Sequence, residues 1–231
     1  MMTLVIATRN AHKLGEIREM LPAGTACLGL EGLVGVPEVV EDATTFSGNA
    51  LKKALSLSQW LATHRQSFDL RSSPCWVLAD DSGLEVDHLN GAPGVHSARF
   101  ASLGDPNRRG NASDAENNIK LLALLAGIPE ARRKARFRCT LALVPVHGVP
   151  SGGEAVVGPI LVDGTCEGRI ASEPQGAGGF GYDPLFIPDG YSESFATLGV
   201  EIKNRISHRA RAARSELARM WNSTFVLIRA C

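Results

Sequence analysis

Between residues 76 and 87 an apolar run, Trp76-Val77-Leu78-Ala79, stops at Asp80-Asp81-Ser82-Gly83, and an alternating run, Leu84-Glu85-Val86-Asp87, takes over. An uncharged run of this length reads as a buried strand, and the polar, glycine-containing tetrad after it reads as a tight turn. The expected unit is strand, turn, strand, with Asp80, Asp81 and Ser82 at the rim of a sheet, where α/β proteins keep their chemistry. Adjacent carboxylates there need partners, because a buried, unpaired carboxylate costs several kcal/mol or shifts its pKa until it neutralises. A bound cation or a nearby Lys or Arg meets that need. Neighbouring side chains of an extended chain point to opposite faces, so one aspartate faces a ligand while the other caps the turn. A plain structural turn carries the same signature, and the other segments must decide.

Two helix starts carry cations where anions are usual. Thr3-Leu4-Val5-Ile6-Ala7 is a β-branched strand, Thr8-Arg9-Asn10 a turn, and Leu14, Ile17 and Leu21 follow at helical spacing. Asn10 is a good N-cap, which puts Ala11, His12 and Lys13 in the first turn. A cation beside the positive end of the helix dipole is unfavourable unless an anion joins it, and free N–H groups there attract phosphate. The segment lacks P-loop glycines, so a phosphate cradle would be of another type; a solvated surface lysine is the other reading. Later, Lys203-Asn204-Arg205-Ile206-Ser207-His208-Arg209 precedes a helix with Ala210, Ala213, Leu217 and Met220 inward. Ser207 as N-cap places His208 and Arg209 in its first turn.

The intervening chain supplies a frame. A strand near Thr25 to Leu30 leads through Glu41 to a helix with Phe46, Ala50, Ala54, Leu57 and Leu61 on one stripe. On its other face Asn49 and Lys53 lie one turn apart, offering an amide and an ammonium to one ligand, or forming a solvated stripe. Residues 63–75 read as a surface loop, Asn90-Gly91-Ala92-Pro93-Gly94 as a turn, and 96–100 as its continuation. Ser113 and Glu116 form a capping box for a structural helix carrying Ile119, Leu122 and Leu125. Lys134 to Val146 alternates as a strand with one wet face. Short runs at 154–157, 160–163 and 166–171, split by Gly158-Pro159 and Gly164, predict an antiparallel meander. In Gln175 to Pro184, glycines permit close backbone approach beside aromatics able to stack on a flat ligand. Hairpins plus crossover helices predict an α/β fold, a mixed twisted sheet with flanking helices, in one domain of two lobes over residues 1–231.

Lys plus Arg equals Asp plus Glu at 24 each, so no basic field argues for nucleic acid. The five cysteines are scattered and lack C-x-x-C spacing, against a disulfide framework or a zinc site. With no basic leader and no apolar run near the ~20 residues of a membrane span, a cytoplasmic protein without membrane contact is expected.

Together, Thr8-Arg9-Asn10-Ala11-His12-Lys13, Glu41, Asn49 to Ala54, Ala79-Asp80-Asp81-Ser82-Gly83-Leu84, Gly91 to Gly94 with Ser97-Ala98-Arg99, Phe180-Gly181-Tyr182-Asp183-Pro184 and Lys203-Asn204 with Ser207-His208-Arg209 resemble the non-canonical purine nucleoside triphosphate pyrophosphatases, the inosine triphosphatase family, in their bacterial form. Motif order and spacing agree from residue 3 to about 220. The resemblance implies Mg²⁺-dependent cleavage of a small-molecule nucleoside triphosphate to monophosphate and pyrophosphate, in a central cleft between two lobes, by a homodimer. It assigns Glu41 and Asp81 to the metal and Asp81 to the proton of the attacking water. Residues 8 to 13, above all Lys13, with Lys53 and Ser82 take the phosphates. Phe180 stacks on the base, and Gly181, Tyr182, Asp183, Lys203, His208 and Arg209 line the base and sugar end. A nucleotide sensor without turnover and a phosphomonoesterase releasing orthophosphate are the rival readings. The long connectors at 63–75 and 147–153 depart from the family outside its motifs.

Overall fold

The computed structural model describes residues 2–22, 24–64, 75–105, 107–108, 110–146 and 158–214. Its strands are β1 (Thr3–Ile6), β2 (Ala26–Leu28), β3 (Cys75–Val86), β4 (Lys134–Pro145), β5 (Ile160–Ile170) and β6 (Phe186–Pro188). The helices are α1 (Ala11–Met20), α2 (Phe46–His64), α3 (Asp114–Leu124), α4 (Phe195–Ile206) and α5 (His208–Ala212). The strands form one sheet in the order β2-β1-β3-β4-β5-β6. It is mixed: β1 runs parallel to β2 and β3, whereas β5 and β6 are antiparallel. Among the described residues no helix is long and apolar enough to cross a membrane.

Compact packing divides the chain into two units. The first takes the chain up to Asp81, Thr140–Asp163 and the chain from Ala213. Its core sets Ala50, Ala54, Leu57 and Leu61 of α2 against Val5, Val77, Ala79 and Val144 of the strands, all within 4% of full burial. The stripe read from sequence is therefore the packed face of α2. The second unit takes Ser82–Cys139 and Gly164–Ala212. Its core joins Leu84 and Val86 to Leu121, Leu125, Phe137, Cys166, Phe186 and Phe195. Of the loop expected at 63–75, Thr63 and His64 belong instead to α2 and Cys75 to β3; the rest of it, the loop at 147–153, a strand at 154–157, and Leu217 and Met220 lie outside the described residues.

Several expectations change. The tetrad Asp80 to Gly83 makes no turn: β3 runs unbroken through it, and Gly83 stays extended. The carboxylates sit mid-strand, not at a rim, which is tolerable because cationic side chains meet both. Gly164 does not split a meander, since β5 continues through it. A Cβ there would lie 2.1 Å from His208 O and 2.7 Å from Ala212 N, so glycine marks the place where α5 lies directly on the strand. The wet face of β4 is confined to its first half, because every residue from Cys139 to Pro145 is buried.

Residues 94–102 are 3₁₀-helical rather than loop. The capping box at Ser113 and Glu116 is present. Leu125 is in the core and Leu122 packs against it as expected, whereas Ile119 is 68% exposed, and Asn117 and Leu121 are the buried residues within the helix itself. Lys203 and Asn204 lie inside α4, a helix whose pattern is interrupted at Gly199, φ +81, and which the sequence reading did not anticipate.

Candidate active site

In the first unit, alternation along β3 does the sorting. Asp80 belongs with Leu78 and Asp81 with Val77 and Ala79, on opposite faces of a strand that is covered on both sides. Asp80 meets α1: its Oδ2 is 2.7 Å from Lys13 Nζ, and its side chain is fully buried. Lys13 stands in the first turn of α1 because Asn10 caps that helix, accepting from the N–H groups of His12 and Lys13 at 2.9 and 3.1 Å. Asp80 is the anion that this inverted helix start requires. It does not cap a turn, as the sequence reading allowed.

Asp81 meets α2. Its Oδ1 accepts from Lys53 Nζ at 3.0 Å and its Oδ2 from Asn49 Nδ2 at 3.2 Å. The two residues one turn apart on α2 thus converge on one carboxylate. Lys53 Nζ also donates to Glu41 Oε2 at 2.9 Å. Asn49 Oδ1 accepts from Ala43 N at 2.9 Å, which ties down the segment carrying Glu41. Asn49, whose amide the helical spacing offers to a ligand together with Lys53, thus binds the Asp81 carboxylate instead, and Asp80, which the resemblance leaves without a role, belongs to the same constellation.

Burial pushes the Asp81 carboxyl up to about 6, against the pull of Lys53 and Lys13, and the charge of Glu41 adds to the rise. Burial alone would raise Glu41 too, but the charge and hydrogen bond of Lys53 hold it below its ordinary value. Burial would depress the Lys53 ammonium, yet Asp81 and Glu41 keep it above its usual range. The group is also unevenly charged: the carboxylates of Asp80, Asp81 and Glu41 face the ammoniums of Lys13 and Lys53. One negative charge is left over among hard oxygen donors, a donor set that fits Mg²⁺. Among the described residues no group of three His, Cys, Asp or Glu side chains is arranged to hold a metal. Magnesium commonly takes one or two carboxylates and completes its shell with phosphate oxygens and water.

Thr8 Oγ1 accepts from Asn10 N at 3.1 Å, and the Arg9 guanidinium donates to Val36 O at 3.4 Å. Thr8, Arg9 and Ala11, with Leu14, Glu31 and Val36, help to line a cavity of about 520 Å³. His12 is exposed.

The second unit gathers most of the residues assigned to the base. Asp183, 1% exposed, accepts from Phe180 N at 2.9 Å and pairs with Lys203. The Lys203 ammonium lies 4.3 Å from the centroid of the Phe180 ring, and Arg209 Cζ lies 5.6 Å from the same ring. Arg209 donates to Ser82 Oγ at 2.6 Å, so this hydroxyl, expected among the phosphate ligands, serves the guanidinium. Gly179 has φ +73, and a Cβ there would come within 2.2 Å of Asp183 Oδ2, so glycine lets the carboxylate close on the loop. Ser207 Oγ accepts from Ala210 N at 3.2 Å as the N-cap of α5, and His208 is stacked on Phe137 with centroids 5.0 Å apart. Tyr182 lies apart from this group. Its ring is in the core, its hydroxyl donates to Ser97 O at 2.9 Å, and burial with the charge of Asp114 pushes that hydroxyl well above its ordinary pKa.

The profile of the Ham1 family matches residues 4–218. A dITP/XTP pyrophosphatase of Desulforamulus reducens is 44% identical over 217 residues, which cover 94% of this chain and 94% of that protein. One from Opitutus terrae is 43% identical over 218 residues, 91% of this chain and 95% of its own. Among solved structures, a HAM1 protein of Coxiella burnetii is similar with a TM-score of 0.74 at 33% identity, over 96% of this chain and 100% of its own.

Proposed function

This chain belongs to the Ham1 family, and on that footing we propose that it hydrolyses non-canonical purine nucleoside triphosphates, inosine, deoxyinosine and xanthosine triphosphate, to the monophosphate and pyrophosphate. Such a reaction clears the nucleotide pool of deaminated purines. The observation that carries this reading is the buried Asp81 carboxyl, raised to about 6 and held by Lys53 and Asn49 beside Glu41. A proton acceptor works best with a raised pKa and a fixed direction, and the burial and hydrogen bonds of Asp81 support that role.

Hydrolysis of a triphosphate needs its charge neutralised and a water oriented, mostly by positioning and electrostatics. Lys13 and Lys53 already hold their ammoniums against carboxylates, and in this reading they turn that charge to phosphate oxygens. The N–H groups around the start of α1 add donors at the positive end of its dipole. Glu41 and Asp81 would hold Mg²⁺, which when bound supplies charge neutralisation at the phosphates and makes water more acidic. Asp81 takes the proton of the attacking water. Phe180 stacks on the base, Asp183 fixes the Phe180 backbone, and Lys203, Arg209 and His208 donate toward the purine 6-oxygen. The enzyme acts as a homodimer in this reading, which light scattering of the purified protein tests.

The deciding assay supplies inosine triphosphate with and without magnesium and identifies the products. Inosine monophosphate and pyrophosphate, formed only with the metal, are expected. Orthophosphate as the first product would instead sink the pyrophosphatase reading, and tight nucleotide binding without turnover would make the protein a sensor.

A further inference from the structure

Helix α3, read from sequence as purely structural, grips the aromatic loop at a single residue. Gly181 N donates to Asp114 Oδ2 at 2.6 Å, and Gly181 O accepts from Asn118 Nδ2 at 3.0 Å. Asp114 and Asn118 are four apart, so both lie on one face of the helix. They present an acceptor and a donor to the N–H and C=O of one residue, which has φ +62. That residue follows Phe180, whose own N–H is taken by Asp183. Three hydrogen bonds thus fix the backbone on both sides of the Phe180 Cα, and with it the direction from which the ring leaves the chain.

The anchor is itself held. The capping box at Ser113 and Glu116 secures the start of α3. Asn117, between them in sequence, accepts from Ala101 N at 2.8 Å and donates to Ala98 O at 3.3 Å. Beyond the end of the helix the buried Arg133 guanidinium donates to Leu125 O, Ile128 O and Ala171 O at 2.8 to 3.1 Å. Asn118 Oδ1 is buried and accepts no hydrogen bond among the described residues, so the donor end of that amide is the end in use.

We propose that Asp114 and Asn118 are positioning residues for Phe180 and thereby set the affinity for the purine base. This rests on the reading of Phe180 as the surface on which the base stacks. A first-turn aspartate and a polar residue on α3 serving stability alone would leave discrimination between the two ends of the substrate unchanged.

The test uses the whole chain with Asn118→Asp, which replaces the donor with an oxygen of equal size, Asp114→Ala, which removes the acceptor, and Asp114→Asn, which keeps one. For the first two, KM for inosine triphosphate is expected to rise about tenfold, the scale of one lost hydrogen bond. The kcat is expected to change by less than about threefold, and inhibition by inorganic tripolyphosphate, which has no base, is expected to stay constant. Asp114→Asn is expected to fall between the parent and Asp114→Ala. Amide exchange at Gly181 is expected to be slow in the parent and faster in Asn118→Asp and Asp114→Ala. Unchanged KM in folded variants, or tripolyphosphate inhibition weakened by the same factor as KM, overturns the proposal. If the parent protein does not turn over inosine triphosphate, the function reading falls by itself, and exchange at Gly181 alone decides: no acceleration in the variants overturns the anchor.

Discussion

Lys53 Nζ lies 2.9 Å from Glu41 and 3.0 Å from Asp81, so any proton or cation arriving here is shared among three side chains. In the unfolded chain Asp81 titrates near the usual carboxylate value of about 4; in the fold it does so at about 6. Below the first value the group is protonated in both states. Above the second, the fold bears the full cost of a buried, ionised Asp81. Asp81→Asn never ionises, so without metal its melting temperature is expected to gain on the parent as pH rises from about 4 to about 7. Thermal melts in a chelator check this; a gain that shrinks with rising pH contradicts the raised pKa. The same variant should lose roughly 10²- to 10⁴-fold in pyrophosphate release, and retention of more than about a tenth would remove Asp81 from its role. Lys13→Ala should cost about 3 kcal/mol or more, because it removes the ammonium that faces the buried Asp80 carboxylate. Adding Asp80→Asn should restore stability in denaturant melts without restoring triphosphate affinity, since neutralising the aspartate does not return a cation to the phosphates. Full recovery of affinity would make Lys13 only a structural partner. These pairings were partly legible in the sequence: strand alternation separates Asp80 from Asp81, and helical spacing unites Asn49 with Lys53. Tyr182 was not, because nothing in Phe180-Gly181-Tyr182 tells which aromatic turns inward across a glycine of positive φ.

Helix α5 carries Arg209 toward Ser82 and lies directly on β5 at Gly164. Gly164→Ala must push the helix away, since the new methyl would meet backbone rather than a flexible side-chain tip. Overpacking of this kind costs about 1 to 3 kcal/mol. The displacement is expected to raise KM for inosine triphosphate while leaving tripolyphosphate inhibition unchanged. A variant with parental stability and KM would show that the strand and helix can part at no cost. This contact also explains why element boundaries were the least legible part of the sequence. A glycine demanded by a neighbouring backbone looks the same in one dimension as a glycine demanded by a turn, so Gly164 read as a break in what is one strand. Gly83 misled similarly, next to carboxylates whose partners come from helices about 30 and 70 residues earlier. Long amphipathic patterns survived translation into three dimensions: α2 buries the stripe that its spacing announces. In α4 the stripe is cut by Gly199, and the helix went unread.

For the molecule as a whole, the sharpest consequence of the proposed function is choice of base. Inosine and xanthosine carry an acceptor at the 6-position where adenosine carries an amino donor. A site whose donors are the side chains of Lys203, His208 and Arg209 would leave adenine donor against donor. Such unpaired polar contacts discriminate by roughly 10⁴-fold. Adenosine and cytidine triphosphates should be rejected strongly and guanosine triphosphate, which shares the 6-oxygen, less so. Arg209→Ala should lower kcat/KM for inosine triphosphate by at least about tenfold, the scale of one lost hydrogen bond to a charged group. Equal kcat/KM for adenosine and inosine triphosphates would refute this account of recognition. The division of the chain into units bears on a different matter, the order in which the protein is made. The first unit needs Thr140–Asp163 as well as the chain up to Asp81, and the second needs Gly164–Ala212 as well as Ser82–Cys139. Neither can close while the nascent chain ends near residue 139. Contacts so distant in sequence form slowly, and until they form, apolar strands such as the first half of β3 lack their covering. A ribosome must therefore carry more than half of this chain before either core can be finished.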